Sequence, residues 1–108
     1  MRKKIEFEVQ IDENHLPKKI SIDTSDSFEK EKDLKALFVS AWQSKKKETL
    51  RIDLWTKDMP VNEMFIFYHQ SLLSMAQNLE KSTGHEKLAG ALRDYCEFFA
   101  EQTQIKAK

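Results

Sequence analysis

Histidine and cysteine are the side chains of this sequence best suited to metal binding or nucleophilic catalysis, and neither occurs in a pattern that such chemistry needs. His15, His69 and His85 have no second ligand three or four residues further on, the spacing of a metal pair on a helix. Cys96 lies inside a helical pattern with Arg93 as its nearby basic residue, which is typical of an inert core thiol. We therefore predict no catalytic residue, metal site or cofactor.

The segment Leu50–Trp55 carries the residue types best suited to binding a protein. Its apolar residues alternate with Arg51, Asp53 and Trp55, the period of a strand with one buried face, expected over about residues 48 to 55. Tryptophan and arginine dominate binding hot spots, because they bury a large area at a small entropic cost and still offer polar contacts. We predict that these three residues form an open, partner-binding face; the alternative is that Trp55 folds over the sheet edge.

The chain changes from strand to helix directly after this segment. Asp58 or Met59 is expected to cap the helix, with Pro60 in its first turn, where the missing N–H does no harm. Ile66 and Phe67 add a second apolar stripe beside the main one, so this helix is apolar over much of its circumference. It is expected to lie between the sheet and another element, either the last helix or a partner chain, and both residues are candidates for a partner contact.

The N-terminal half is expected to contain two strands and a helix. Alternating apolar residues predict the strands over about residues 4 to 11 and 18 to 23. Asp26 and Glu29 resemble a capping box, which predicts a helix from there to about Ser44, with the lysines at 45 to 47 near its C-terminus. The apolar stripe of this helix is expected to comprise Leu34, Leu37, Phe38, Ala41 and Trp42.

A third helix completes the predicted fold. Gly84 marks the end of the second helix, and Thr83 with Glu86 offers a cap for the third. The element order ββαβαα predicts a single, two-layer α+β domain over residues 1–108, with a three-stranded, mainly antiparallel sheet of order 2-1-3 and three helices on one face. The other sheet face is then open and polar. The stripe of the third helix is expected to comprise Leu88, Ala91, Leu92, Tyr95 and Phe99.

The charge balance limits the kinds of partner that the chain can bind, and the single cysteine indicates its compartment. The chain has 18 basic and 18 acidic residues in 108, whereas nucleic-acid binders usually carry a basic excess. No apolar run suits a signal segment or a membrane span, so membrane insertion is not expected. One cysteine cannot form an intrachain disulfide, which is consistent with a reducing cytoplasm.

The block Leu50–Met64, whose centre reads Leu-Trp-Thr-Lys-Asp-Met-Pro, resembles the hallmark of the GldC family of gliding-motility-associated proteins. Further similar segments are Asp12–Asn14 with Pro17, then Ser40–Trp42, then Arg93–Cys96. The resemblance implies a small soluble cytoplasmic protein that assists surface gliding as an accessory to the motility and secretion apparatus. It implies no enzymatic activity.

Two classes of function are compatible with these residues. The preferred one is an adaptor that docks a protein, such as a component of the gliding or secretion machinery, through Arg51, Asp53 and Trp55 or through Ile66 and Phe67. The same helix could instead pair with a second copy of the chain in a homodimer. The alternative class is a small-molecule-binding domain or enzyme with a pocket between helices and sheet. The residues expected to line that pocket are Trp42, Tyr68, His69 and Tyr95.

Overall fold

The structure is a computed structural model in which residues 1–25 and 31–105 are described. The chain clusters into two compact units, Met1–Met59 built from strands and Pro60–Lys108 built from helices. The α+β class is confirmed, but the described residues form two helices and not the predicted three. The elements are β1 (Ile5–Ile11), β2 (Pro17–Thr24), β3 (Glu31–Leu34), β4 (Ala36–Gln43), β5 (Glu48–Trp55), α1 (Val61–Thr83) and α2 (Glu86–Thr103).

The first three strands form an antiparallel sheet in the order β1-β2-β3. Phe7 pairs with Ile22 and Val9 with Ile20, so the apolar residues of β1 and β2 share one face, as their alternation predicts. Ile20, in the central strand, is fully buried. The first two strands therefore lie where the sequence predicts them. The opposite face carries Glu6, Glu8, Gln10, Lys19, Ser21 and Asp23.

Residues 31–34 and 36–43, which the sequence predicts to lie in one helix, form strands β3 and β4 instead. The spacing of apolar residues fits a helix, but β-branched and aromatic residues such as Val39 and Phe38 pack well on a pleated sheet. Each residue of β4 pairs with one of β5 in an unbroken antiparallel register, and this pairing overrides the local helical pattern. The capping box expected at Asp26 and Glu29 lies outside the described residues.

The predicted strand order 2-1-3 is wrong, because β5 pairs with β4 in a two-stranded sheet and not with β1. Ser44–Lys47 form the turn of this β4–β5 hairpin, with Lys47 in the left-handed region at φ 52°. A short loop costs less closure entropy than pairing with a distant strand, which favours the hairpin once residues 36–43 are extended. The lysines at 45 to 47 therefore lie in a hairpin turn and not at the end of a helix. β5 belongs to a different sheet from β1 and β2, so its residues do not extend the polar face of those two strands.

A hydrogen-bonded cluster closes the open end of the hairpin. The hydroxyl of the buried Thr56 donates to Asp58 Oδ1 at 2.6 Å, and its N–H donates to the Lys35 carbonyl oxygen at 2.8 Å. Lys35 Nζ donates to Asp58 Oδ2 at 2.8 Å, and this contact raises the pKa of Lys35. The same lysine and then the Thr56 hydroxyl lower the pKa of Asp58. Asp58 is thus engaged in the β unit; the residue at the N-cap of α1 is Pro60, contrary to the prediction.

Small residues form the buried contact in the helical unit. Ala76 of α1 and Ala89, Cys96 and Ala100 of α2 are buried. Burial, and then the nearby Glu97 carboxylate, raise the pKa of the Cys96 thiol, as suits an unreactive core residue. The buried stripe of α2 differs from the predicted one, because Leu88, Ala91 and Tyr95 of the predicted stripe are exposed.

Aromatic and ionic contacts extend the packing of the two helices. The ring of Phe65 meets Phe99 edge to face at a centroid distance of 6.2 Å, and His69 stacks on the same ring at 6.3 Å. Arg93 Nη2 donates to Glu80 Oε1 at 2.7 Å. His69 is half-buried, as expected of a structural histidine.

A glycine and a histidine form the turn between the helices. Gly84 ends α1 as predicted, at φ 70°, and its N–H donates to the Glu80 carbonyl oxygen at 2.8 Å. His85 and not Thr83 caps α2, because its Nδ1 accepts the Leu88 N–H at 3.2 Å. This turn makes the two helices antiparallel neighbours.

Candidate partner-binding surface

One face of the β4–β5 hairpin combines two tryptophans with an arginine–aspartate pair. The register places Ser40 opposite Arg51, so every second residue of β4 and β5, counted from these two, lies on the same face. Trp42 and Trp55 lie at opposite ends of this face, and their side chains are 65% and 54% exposed, respectively. We call this surface, formed by Ser40, Trp42, Arg51, Asp53 and Trp55, the docking face.

Three hydrogen bonds hold the guanidinium of Arg51 at the centre of the docking face. Its Nη2 donates to Asp53 Oδ1 at 2.8 Å and its Nε to Asp53 Oδ2 at 3.3 Å. Its Nη1 donates across to Ser40 Oγ on β4 at 2.8 Å. A two-pronged contact with a carboxylate fixes the plane of an arginine side chain. The guanidinium is therefore pre-oriented, which lowers the entropic cost of binding a partner.

An apolar notch of about 290 Å³ adjoins the docking face at the C-terminal end of β5. This volume is at the small end of the range for ligand pockets, about 300–1,000 Å³, and the apolar lining suits one side chain of a protein partner. Charged side chains stand on its rim beside apolar walls. The notch is lined by Leu16, Pro17, Asp53, Leu54, Trp55 and Lys57.

Asp12 positions the wall of the notch that Leu16 and Pro17 form. Its Oδ1 accepts the backbone N–H of Asn14 at 2.8 Å and that of Leu16 at 3.1 Å. Its Oδ2 accepts Lys57 Nζ at 2.7 Å, which ties the β1–β2 loop to the segment after β5. The Lys57 ammonium and then the Leu16 N–H lower the pKa of Asp12 to about 2. The ionised carboxylate is therefore the form that holds the loop.

Acidification is expected to release this loop. The pKa of Asp12 is about 2 in the folded chain and about 3.9 in an unfolded one. Its contribution to the free energy of unfolding is therefore complete above about pH 4 and is lost as the pH falls towards 2. Urea unfolding followed by tryptophan fluorescence should show that Asp12→Asn loses less stability than the wild type between pH 4 and pH 2. Asp94→Asn, at an exposed position of α2, controls for the loss of a carboxylate; identical profiles for Asp12→Asn and the wild type would contradict the loop contact.

The family of the chain follows from its sequence match. A family model described as Gliding motility-associated protein GldC-like matches residues 17–105, which include every element from β2 to α2. The chain belongs to the GldC-like family. No curated protein and no solved structure matches it. Within the described residues of this GldC-like protein, neither helix is apolar enough over its length to cross a membrane.

Three of the four segments that resemble the GldC family in sequence contribute residues to the docking face or its notch, whereas the fourth, Arg93–Cys96, lies in α2. Leu50–Met64 contains β5, the turn after it and the start of α1. Asp12–Asn14 lies in the loop that Lys57 holds, and Pro17 lines the notch. Ser40–Trp42 supplies the β4 side of the docking face. Within the β unit, the segments typical of the family thus lie on or beside one surface.

The predicted site residues fall on two surfaces. Arg51, Asp53 and Trp55 share one face of β5, as their alternation predicts, although that face belongs to a two-stranded sheet. Ile66 is exposed and Phe67 half-buried, both on α1. Helical periodicity places Phe67 opposite the side of α1 that contacts α2 and Ile66 beside it. A partner contact at these two helical residues stays a prediction.

Trp42, like Ser40, is a member of the docking face that the sequence pattern does not predict. It was expected in the apolar stripe of a helix, whereas it is exposed on β4. The signal that identifies it is the alternation of Phe38, Ser40 and Trp42, which places all three on one side of a strand.

The residues of the alternative ligand pocket lie on different kinds of element. Trp42 is on β4, while Tyr68, His69 and Tyr95 are on helices. The two tyrosines are exposed and the histidine stacks on Phe99. That pocket stays a prediction. No group of three His, Cys, Asp or Glu side chains in the described part of the chain is arranged to hold a metal ion.

Proposed function

We propose that this GldC-like protein is a non-enzymatic accessory of bacterial gliding motility that acts in the cytoplasm by binding a protein partner through the docking face. The observation that carries the proposal is the guanidinium of Arg51, fixed by Asp53 and Ser40 between two exposed tryptophans. Binding hot spots combine these residue types, and a pre-oriented arginine loses little freedom on binding.

The surroundings of the docking face define the partner segment that it suits. At the Trp55 end, the notch accepts one apolar side chain. At the Trp42 end, the exposed turn of residues 45–47 carries three lysines, which favour an acidic residue in the partner. We expect a segment with an apolar anchor and an acidic end, in a component of the gliding or secretion machinery.

Co-purification from the native host tests this surface. Tagged wild-type protein is compared with Trp55→Ala and with Phe98→Ala, which truncates an equally exposed aromatic residue on α2. Truncation of a hot-spot residue costs about 2 kcal/mol or more, which corresponds to about a 30-fold loss of affinity. Recovery of a specific motility component should therefore fall strongly with Trp55→Ala and stay unchanged with Phe98→Ala.

Gliding itself gives the functional readout. Cells that carry Trp55→Ala at wild-type protein level should spread less than cells that carry Phe98→Ala. Circular dichroism of both purified variants checks that the fold is retained. Equal recovery of the same motility component with all three proteins would show that the docking face does not bind it.

A further inference from the structure

The second face of the β4–β5 hairpin is apolar and poorly covered. The register places the side chains of Leu37, Val39 and Ile52 on it, together with those of Leu50 and Leu54. Leu50 is 60% and Ile52 52% exposed. A two-stranded hairpin is marginally stable in water, and three or more strands with an apolar face are usually needed. The hairpin therefore has the properties of an incomplete sheet.

The outer edge of strand β5 can complete this sheet, although Leu16 and Pro17 lie beside its C-terminal end in the notch. Among the described residues β5 pairs with β4 alone, so the backbone groups of its other edge have no strand partner. It is eight residues long, contains no proline, and its register is free of bulges. Proteins commonly protect edge strands by shortness, proline, bulges or charged side chains. β5 has only the charges, and because a second copy can match them with opposite charges, its edge is a template for pairing with another chain.

We propose that β5 pairs antiparallel with β5 of a second copy of the chain, about a two-fold axis that passes through Ile52. In this register Arg51 faces Asp53 of the partner subunit, and Leu50 faces Leu54 of the partner subunit. Each pair occurs twice, and Ile52 meets its own symmetry mate. Opposite charges and large apolar residues in facing positions stabilise an antiparallel pair.

The sequence of β5 selects this register over its neighbours. An axis through Arg51 or Asp53 would place like charges directly opposite each other, which destabilises a strand pair. An axis through Leu50 would face Arg51 with Thr49 of the partner subunit, and an axis through Leu54 would face Arg51 with Lys57 of the partner subunit. Only the axis through Ile52 pairs Arg51 with a carboxylate.

The other edge of the hairpin lacks this self-complementarity. Strand β4 contains no charged residue, so nothing in its sequence fixes a register with a second copy. Pairing through β5 gives a four-stranded sheet in the order β4-β5-β5-β4 with one continuous apolar face. The docking faces of the two copies then lie side by side. The pairing does not rest on the proposed motility partner, but the second copy runs beside the notch at Asp53, Leu54 and Trp55, so the two partners share that end of β5.

Charge reversal tests the register. Wild-type protein should sediment as a dimer of 12.7 kDa chains, and Arg51→Glu and Asp53→Arg should each weaken the dimer by about tenfold or more. Mixing the two variants restores an opposite charge at every facing position. The mixture should therefore dimerise more tightly than either variant alone and approach the wild-type dissociation constant, which a merely unfolded variant would not do.

A cross-link tests the axis. Ile52→Cys should form a covalent dimer with a short reagent that carries two thiol-alkylating groups, because directly opposed residues lie about 4.5–5.5 Å apart between their Cβ atoms. Val39→Cys is the control, since Val39 pairs with Ile52 on the β4 side of the hairpin. Both variants retain the buried Cys96. The proposal is overturned if the wild type is monomeric at all concentrations. It is also overturned if mixing Arg51→Glu with Asp53→Arg does not restore the dimer, or if Val39→Cys cross-links as efficiently as Ile52→Cys.

Discussion

Replacing Ile20 by alanine is expected to lower the free energy of unfolding by about 2–5 kcal/mol, the usual cost of truncating a buried aliphatic side chain. Ile20 is the largest fully buried apolar side chain of the described residues. It lies in the central strand of the first sheet, where it pairs with Val9 on one side and Leu34 on the other. The truncation leaves a cavity at the point where all three strands meet, and the surrounding side chains relax into it only in part.

Ile5→Ala is the matched control for this variant. Ile5 lies in β1 of the same sheet but is largely exposed, so the same truncation there should cost less than about 1 kcal/mol. Urea unfolding followed by the fluorescence of the two tryptophans, both in the β unit, measures the two losses. Similar losses for the two variants would show that Ile20 is not at the centre of the packing.

Strands with one polar and one apolar face could be predicted from the sequence. β1, β2 and β5 alternate clearly, and their predicted bounds agree with the structure to within about two residues. Strand β4 could not be predicted in this way, because Leu37, Phe38 and Val39 are consecutive apolar residues that fit a helix as well as a strand. The strand order was consequently wrong, since the partner of β5 was assigned to a helix.

The docking face could be predicted only in part, for the same physical reason. Arg51, Asp53 and Trp55 share a strand, so their common face follows from alternation alone. The salt bridge from Lys57 to Asp12 joins residues that are 45 positions apart, and no local sequence pattern predicts such a contact. The notch beside Trp55 depends on that long-range contact and could not be predicted either.

The helix contact shows a different limit of sequence patterns. The periodicity of large apolar residues points to Leu88 and Tyr95, which are exposed in the structure. The buried positions instead carry alanine and cysteine. Small side chains let two helix axes come close, because the separation of packed helices depends on the residues at the contact. A pattern that counts large apolar residues overlooks such a stripe.

Ala76→Asp is therefore expected to destabilise the helical unit by about 3–5 kcal/mol, the cost of an uncompensated charge at a buried position. Ala76 is fully buried, and a carboxylate there has to give up its hydration or force the helices apart. The loss should appear in thermal and urea unfolding followed by ellipticity at 222 nm, which reports chiefly on α1 and α2.

Met75→Asp places the same charge on the neighbouring residue of α1, whose side chain is about half exposed. A solvated carboxylate costs little beyond the lower helix propensity of aspartate, so the expected loss is less than about 1 kcal/mol. The difference between the two variants isolates burial at Ala76 from any effect of aspartate on the helix. If both variants lose the same stability, α1 does not meet α2 at Ala76, and the small-residue stripe of α2 is not the one that packs.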